Sequence, residues 1–419
     1  MWPGAAGDRQ KGAGQEGRLV RRHEAMIGIG KWVLAAVVVA GVLVFARDPI
    51  FWQRYILLRS GSPDSLYEPR ELIAGGNEPV APRVAPETES LEPQSLQTAA
   101  AYAEKMDSTA LIVSRHEHIV FEKYWHGTSF DTVEDGQSFS RVLVALAVGA
   151  ALSRRQIHWP EEPIESFLPE WRGDPRGAIT INQLLKMSSG LEAPQPSLSP
   201  SSPAVRAALG PDIIAADLAE ALADKPGSVW VEQSADPQLA ALVVARATGM
   251  RYAEFVSQAI WRRIGAGDAW LWLDRPGGAP HAECCMLARQ GDWLRLAELL
   301  IKDGNYRGDE VIRPGWIAHM LVPAHGNETF GSYIRVGKVN ATGTEPYATA
   351  DLFIVEGNGG NRLWLIPSMQ MSILRMGPAP EHAADWDDTR IPNAIIRGAR
   401  DYKQPLGSPS DISRMVPGH

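Results

Sequence analysis

The 419-residue chain is 45% apolar with a net charge of −8 and a pI near 5.7. That is enough for one large domain of about 300 residues plus an extension, and the acidic balance argues against a nucleic-acid partner. The only two cysteines are adjacent, Cys284-Cys285; they supply no disulfide framework and no C-x-x-C metal spacing, and read as two small buried thiols.

From the N-terminus, residues 1–25 are rich in Gly and Arg and read as a disordered cytoplasmic segment, with Met26 a second candidate initiator. Residues 27–46, including the uninterrupted apolar run Trp32–Ala46, approach the roughly 20 residues that span a bilayer. Arg18, Arg21 and Arg22 precede this stretch, and Phe51, Trp52 and Tyr55 follow it where an interfacial aromatic belt belongs. The pattern predicts a single-pass inner-membrane anchor, N-terminus inside, with the main domain periplasmic. A cleaved signal peptide ending near Val44-Phe45-Ala46 and a buried helix are the alternatives.

Residues 47–98, with Pro, Glu, Ser and Gly dense after 60, read as a linker or an arm lying across the domain. The globular domain is placed at 99–405 and a disordered tail at 406–419. It begins with an Ala-rich helix, then a hairpin of Ala110–Ser114 and Ile119–Trp125. Its turn holds His116 and His118, a solvated pair without a third metal ligand nearby. The middle, 142–265, is mostly helical, and Gly249 stops the helix that contains Leu239–Thr248. Strands at 350–355, 362–367 and 369–376 and a last helix at 391–400 complete the pattern. The predicted class is α/β (α+β): an antiparallel sheet flanked by helices, an inserted all-α lobe, and one N-terminal membrane helix ahead of them. The fourteen Trp suggest an aromatic-lined cleft, with most of the rings in the core.

Ser138-Phe-Ser-Arg141 opens the apolar run Val142–Leu152; Phe167-Leu-Pro-Glu-Trp171, Ile179–Leu191 with Ser188-Ser189-Gly190, and Gly357-Asn-Gly-Gly-Asn361 follow at a distance. Pro226-Gly-Ser-Val-Trp-Val-Glu-Gln-Ser-Ala-Asp-Pro-Gln-Leu239 lies between them. In order and spacing these resemble the β-lactamase-related serine hydrolases: class C β-lactamases, D-Ala peptidases, esterases and 6-aminohexanoate-dimer hydrolases. The resemblance covers roughly residues 60–405 and implies that family's two-lobed fold, with no cofactor and no metal. Its first motif is S-x-x-K, a nucleophilic Ser with a Lys one helical turn on, and a Tyr from a second loop assists.

Position by position, the resemblance makes Ser138 the nucleophile, places Arg141 at the Lys and Glu232 at the Tyr, and puts Asn358, Gly359, Gly360 and Ser189 along the substrate edge. No Lys lies between Lys123 and Lys186 and no Tyr between Tyr124 and Tyr252, so a small shift in alignment restores neither partner. Arg stays protonated and cannot serve as the base that activates a serine. Two readings remain open. Arg141 and Glu232 form a charge-assisted pair, within about 4 Å, that fills the site of a non-catalytic relative whose cleft binds a cell-wall peptide or partner protein. Or Glu232 takes the Ser138 proton, and the protein hydrolyses an ester, a linear amide, a D-Ala peptide or a β-lactam through an acyl-serine; a guanidinium beside a carboxylate works against such proton uptake. Ser140 is a weaker candidate nucleophile, facing away on the helix, and Asp236 reads as the cap of the following helix.

Overall fold

The computed structural model describes residues 45–60, 68–193, 195, 197–336, 345–357, 359–379 and 386–402, with Trp32, Val38, Val39, Gly41, Val42 and Leu43 ahead of them. The expectations for residues 1–25 and 406–419 fall outside the described residues, as does most of the 27–46 stretch. Among those described, no helix is long and apolar enough to cross a membrane. The chain divides into two compact units, 1–66 and 67–419. In the first, helix α1 (Pro49–Ser60) sets Phe51, Trp52 and Tyr55 ring against ring, with centroids 5.3 to 5.9 Å apart.

The second unit is organised by a six-stranded antiparallel sheet, ordered β3-β2-β12-β11-β10-β9. Its strands are β2 (Ala110–Arg115), β3 (His118–Tyr124), β9 (Arg335–Val336), β10 (Phe353–Glu356), β11 (Arg362–Ile366) and β12 (Met371–Met376). Strand periodicity divides the apolar side chains between two cores. Ala110, Ile112, Leu363, Leu365 and Leu374 face the helical lobe. Leu111, Val113, Trp364, Ile366 and Ile373 face helices α2 (Pro93–Lys105) and α7 (Arg390–Arg397), which contribute Leu96, Ala100, Ile391 and Ile395. Both faces of β2 are covered, and its sequence is accordingly a continuous apolar run rather than an alternating one. Each fully buried aliphatic side chain here contributes about 1.5–3 kcal/mol of transfer free energy.

The lobe is built on α3 (Ser140–Ser153) and α4 (Ala235–Thr248), which pack on each other, while α5 (Asp292–Ile301) lies against β11 and β12. Gly249 ends α4 in the left-handed conformation. At Gly149 of α3 an added Cβ would meet the Trp316 indole at 2.3 Å; the closeness lets Trp316, on α6 (Trp316–Leu321), donate its Nε1–H to the Ala145 carbonyl at 3.0 Å. Trp171, Trp261, Trp293, Trp316 and Trp364 are fully buried. A separate two-stranded antiparallel ribbon pairs β7 (Asn305–Tyr306) with β8 (Asp309–Glu310).

A second antiparallel sheet, β1-β5-β6-β4, has no counterpart in the sequence reading. Its strands are β1 (Arg70–Ile73), β4 (Val133–Asp135), β5 (Ala269–Trp272) and β6 (Met286–Arg289). β1 comes from the stretch read as linker or arm, and in it Ile73 alone is buried; a short edge strand with one apolar anchor carries no periodic signal. The same stretch carries Glu89, whose carboxylate accepts from His116 Nδ1 at 2.6 Å and His118 Nδ1 at 2.7 Å. The histidine turn is therefore tied down by a residue well upstream in the chain, rather than merely solvated. Cys284 and Cys285, read as free thiols, are joined to each other in a disulfide just ahead of β6.

Candidate active site

Ser138 sits in a single 3-10 turn, Gln137–Phe139, that runs directly into α3. The turn is clamped by packing: Phe139 meets Trp293 edge to face at 5.2 Å, and a Cβ on Gly136 would come within 2.4 Å of the same indole. The Gly136 N–H donates to Met286 of β6 at 2.9 Å. These contacts fix the start of α3 against the second sheet and hold Ser138, 6% exposed, at a defined place. Among the described residues, no hydrogen bond to Ser138 Oγ is found, and the bonds next to it belong to Ser140 and Arg141. Ser140 points away, donating to the Gln137 carbonyl at 3.3 Å.

One turn on, the buried Arg141 guanidinium reaches two acceptors. Its Nη1 donates to Glu232 Oε1 at 2.9 Å and its Nε to the Glu283 carbonyl at 3.1 Å. Glu232 lies in the segment leading into α4, its side chain 43% exposed, so the pair is sealed on the arginine side and open on the carboxylate side. A hydrogen-bonded guanidinium in this place holds charge and shape but accepts no proton.

Neither Lys186 nor Tyr333 replaces it as a base. Lys186 is buried, which lowers its ammonium to about 8, yet its Nζ is committed to the carbonyls of His319, Met320 and Val322 at the end of α6. Tyr333 feels the Arg141 charge, but burial pushes its hydroxyl well up and it donates to the Leu184 carbonyl at 3.0 Å.

The glycine turn before β11 approaches the same place. Gln137, with φ of 55°, lays its side chain over the turn and accepts the Gly359 N–H at 2.5 Å. A Cβ on Gly359 would stand 2.0 Å from Gln137 Nε2. The Gly360 N–H donates to the Gly357 carbonyl at 3.1 Å. Both backbone donors therefore have partners within the protein, where a carbonyl under attack needs donors aimed at its oxygen. Asn358 lies outside the described residues. Asn361, at the end of the motif, spans the sheets: Nδ2 donates to the Asp135 carbonyl at 3.1 Å and Oδ1 accepts from the Gly377 N–H at 3.0 Å.

Ser189 belongs to a different cluster from Ser138. It is fully buried, and its Oγ accepts from Gln233 Nε2 at 2.9 Å and the Leu191 N–H at 3.2 Å. Gln233 also donates to Asp236 Oδ1 at 3.1 Å. Asp236, expected to cap α4, instead lies buried in its first turn. Burial pushes its carboxyl up to about 8, against the opposing pull of Ser189.

The folded state thus holds a proton on Asp236 that the unfolded chain releases near pH 4. Stability is complete below that pH and declines as pH rises through about 8. Asp217, pushed up by burial and by Glu283, acts in the same direction. We expect urea midpoints to fall between pH 5 and pH 8, and Asp236→Asn to flatten part of that slope and exceed the parent by about 1–3 kcal/mol at pH 8; a parallel slope in the variant would remove Asp236 as its source.

Sequence reasoning did not find Gln137, which acts through an unusual backbone angle, nor Glu283, which contributes a backbone carbonyl. Neither leaves a residue-type signature in sequence.

The beta-lactamase family model matches residues 95–327. A 6-aminohexanoate-dimer hydrolase of Paenarthrobacter ureafaciens is 26% identical over 298 residues, 66% of this chain and 74% of that protein. Among solved structures, a Bacillus anthracis protein assigned as a 6-aminohexanoate-dimer hydrolase superposes with a TM-score of 0.64 at 18% identity, covering 79% of this chain and 89% of that one. A penicillin-binding protein homologue from Caulobacter crescentus gives 0.57 at 15% identity, covering 74% and 98%. At these identities the structures speak for the fold. With more than half of its 419 residues matched by the family model, and the family's two-lobed arrangement of antiparallel sheet and helices around Ser138, the chain belongs to the beta-lactamase family of serine hydrolases.

Proposed function

We propose that this chain keeps the family's fold and cleft without its acyl-serine chemistry, and uses the cleft to bind a cell-wall peptide or a partner protein. The observation that carries this reading is the Arg141 guanidinium held between Glu232 and the Glu283 carbonyl one turn from Ser138. An activated serine needs a group that takes its proton, and the residue at that place cannot. The internally satisfied Gly359 and Gly360 amides support the same conclusion. The sequence around residues 26–55 supports attachment by a single N-terminal span, main domain outside the cytoplasm, where cell-wall peptides are found.

The retained Ser138 and the relative's hydrolase name favour a second reading: hydrolysis of an ester, amide or D-Ala peptide through acyl-Ser138, with Glu232 as proton acceptor. The full chain in detergent, treated with a fluorophosphonate or a fluorescent penicillin and analysed by mass spectrometry beside a Ser138→Ala control, separates the two. We expect no adduct at Ser138 in folded protein. A stoichiometric adduct, absent from the control, would establish the second reading.

A further inference from the structure

Outside the Ser138 site, the strap from Pro280 to Cys285 brings together metal-ligating side chains, two of them buried, with no hydrogen-bond partner for the His281 ring. The strap itself is firmly set: Gln238 of α4 accepts the Ala282 N–H at 2.8 Å and donates to the Pro280 carbonyl at 2.8 Å, and the His281 N–H donates to the Trp272 carbonyl at 2.8 Å. The His281 ring is fully buried and stacked on the Trp272 indole, centroids 4.2 Å apart and planes 9° from parallel. Neither ring nitrogen has a hydrogen-bond partner. Nδ1 lies 3.7 Å from Glu283 Oε1, and one ligand atom each from His281, Glu283 and Cys284 lies within 4.8 Å of the others. Asp217, also buried, leaves Oδ2 without a partner and is close enough to Glu283 to feel its charge.

A buried polar group without a partner is unfavourable, so an imidazole with two idle nitrogens beside the buried Glu283 carboxylate is a poor arrangement for packing alone. A cation at this point would take one ring nitrogen and the Glu283 carboxylate as ligands together. We propose that His281, Glu283 and Cys284 form a Zn²⁺ site that opens when the Cys284–Cys285 disulfide is reduced. A disulfide sulfur is a poor ligand and a thiolate a strong one. A dithiol reductant supplies the two electrons: the Cys284–Cys285 bond breaks, each sulfur takes a proton, and the reductant closes to its own disulfide. On metal binding the Cys284 thiol releases its proton to solvent. One nitrogen, one carboxylate oxygen and one thiolate form a donor set for a borderline-soft cation and not for Mg²⁺ or Ca²⁺. The fourth tetrahedral position falls to water, Asp217 or Cys285. Because Arg141 holds the Glu283 carbonyl, this site shares a residue with the closed Ser138 site.

The test is titration of the full chain in detergent, under anaerobic conditions, with Zn²⁺ against a chromophoric chelator and with Co²⁺ as its spectroscopic stand-in. The phosphine-reduced chain is expected to bind one Zn²⁺ and to show a thiolate-to-cobalt charge-transfer band. The oxidised chain is expected to bind more than about tenfold more weakly, a loss that even an outer-shell change can bring. Cys284→Ser and His281→Ala should each remove the band or the affinity. Cys285→Ser, which leaves Cys284 permanently free, should bind without any reductant. Equal affinity of the reduced and oxidised chains, unaltered binding by Cys284→Ser, or a folded Cys285→Ser chain that takes up no Zn²⁺ would each overturn the proposal.

Discussion

Replacing Arg141 by Lys and Glu232 by Tyr together is expected to raise the rate of Ser138 acylation by a fluorophosphonate at least about 100-fold, the lower end of what a positioned acid–base group supplies. The argument rests on which half of the machinery is intact. Ser138 is held in a rigid turn by Phe139, Gly136 and Trp293, whereas the place one turn on is occupied by a group that cannot accept a proton. The single changes should give little. Arg141→Lys alone would leave an ammonium still paired with Glu232, and Glu232→Tyr alone would set a phenol against Arg141 with no base beside it. The gain is therefore expected to be strongly non-additive, as for residues that share one network. Measuring labelling rates for the parent, both singles and the double variant completes the cycle. A double variant that folds normally and labels no faster would place the block elsewhere, first at the Gln137 side chain over Gly359; adding Gln137→Gly would then test that location.

Arg375→Met should destabilise the domain by about 3 kcal/mol or more in urea titrations at neutral pH. Arg375 is fully buried on β12. Its Nη1 donates to the carbonyls of Gly360, Gly377 and Pro378 at 2.8, 2.8 and 2.9 Å, Nη2 to Met106 at 2.6 Å, and Nε to Ser108 at 2.8 Å. Burial, with Arg362 nearby, lowers the guanidinium to about 10, so it remains charged at neutral pH. Methionine keeps much of the volume and removes every donor, leaving four carbonyls and a hydroxyl to find water or none. Arg375→Lys should recover only part of the loss, since one ammonium cannot reproduce the guanidinium's planar fork. A change below about 1 kcal/mol in the Met variant would mean that these groups rehydrate freely.

The parts of this protein that could be read in advance are those whose causes are local. The β2–β3 hairpin, α3 and the strands β10 to β12 each carry a run of apolar residues long enough to declare itself. Ser138, Arg141 and Glu232 were legible only through the resemblance of their segments to the family's motifs, and the fold brings Arg141 and Glu232 to 2.9 Å. The second sheet was not legible because its strands are three or four residues long and β1 finds its partner nearly two hundred residues later. Asp236 was misjudged for a related reason: an Asp at the start of a helix usually caps it, and only the tertiary arrangement shows this one turned inward toward Gln233. The pairing of adjacent cysteines is likewise a matter of backbone geometry that their spacing does not reveal.

The pairing of β1 with β5, from Arg70↔Trp272 to Ile73↔Ala269, decides where a shortened form of this protein can safely begin. A piece starting near residue 99, the boundary that composition suggests, would strip the outer strand from a four-stranded sheet and leave the β5 backbone donors and acceptors beside Leu271 and Trp272 open to any extended chain in solution. Such an uncovered margin invites association between copies. A piece starting before Pro69, whose carbonyl accepts the Leu273 N–H at 2.8 Å, would carry its own protection.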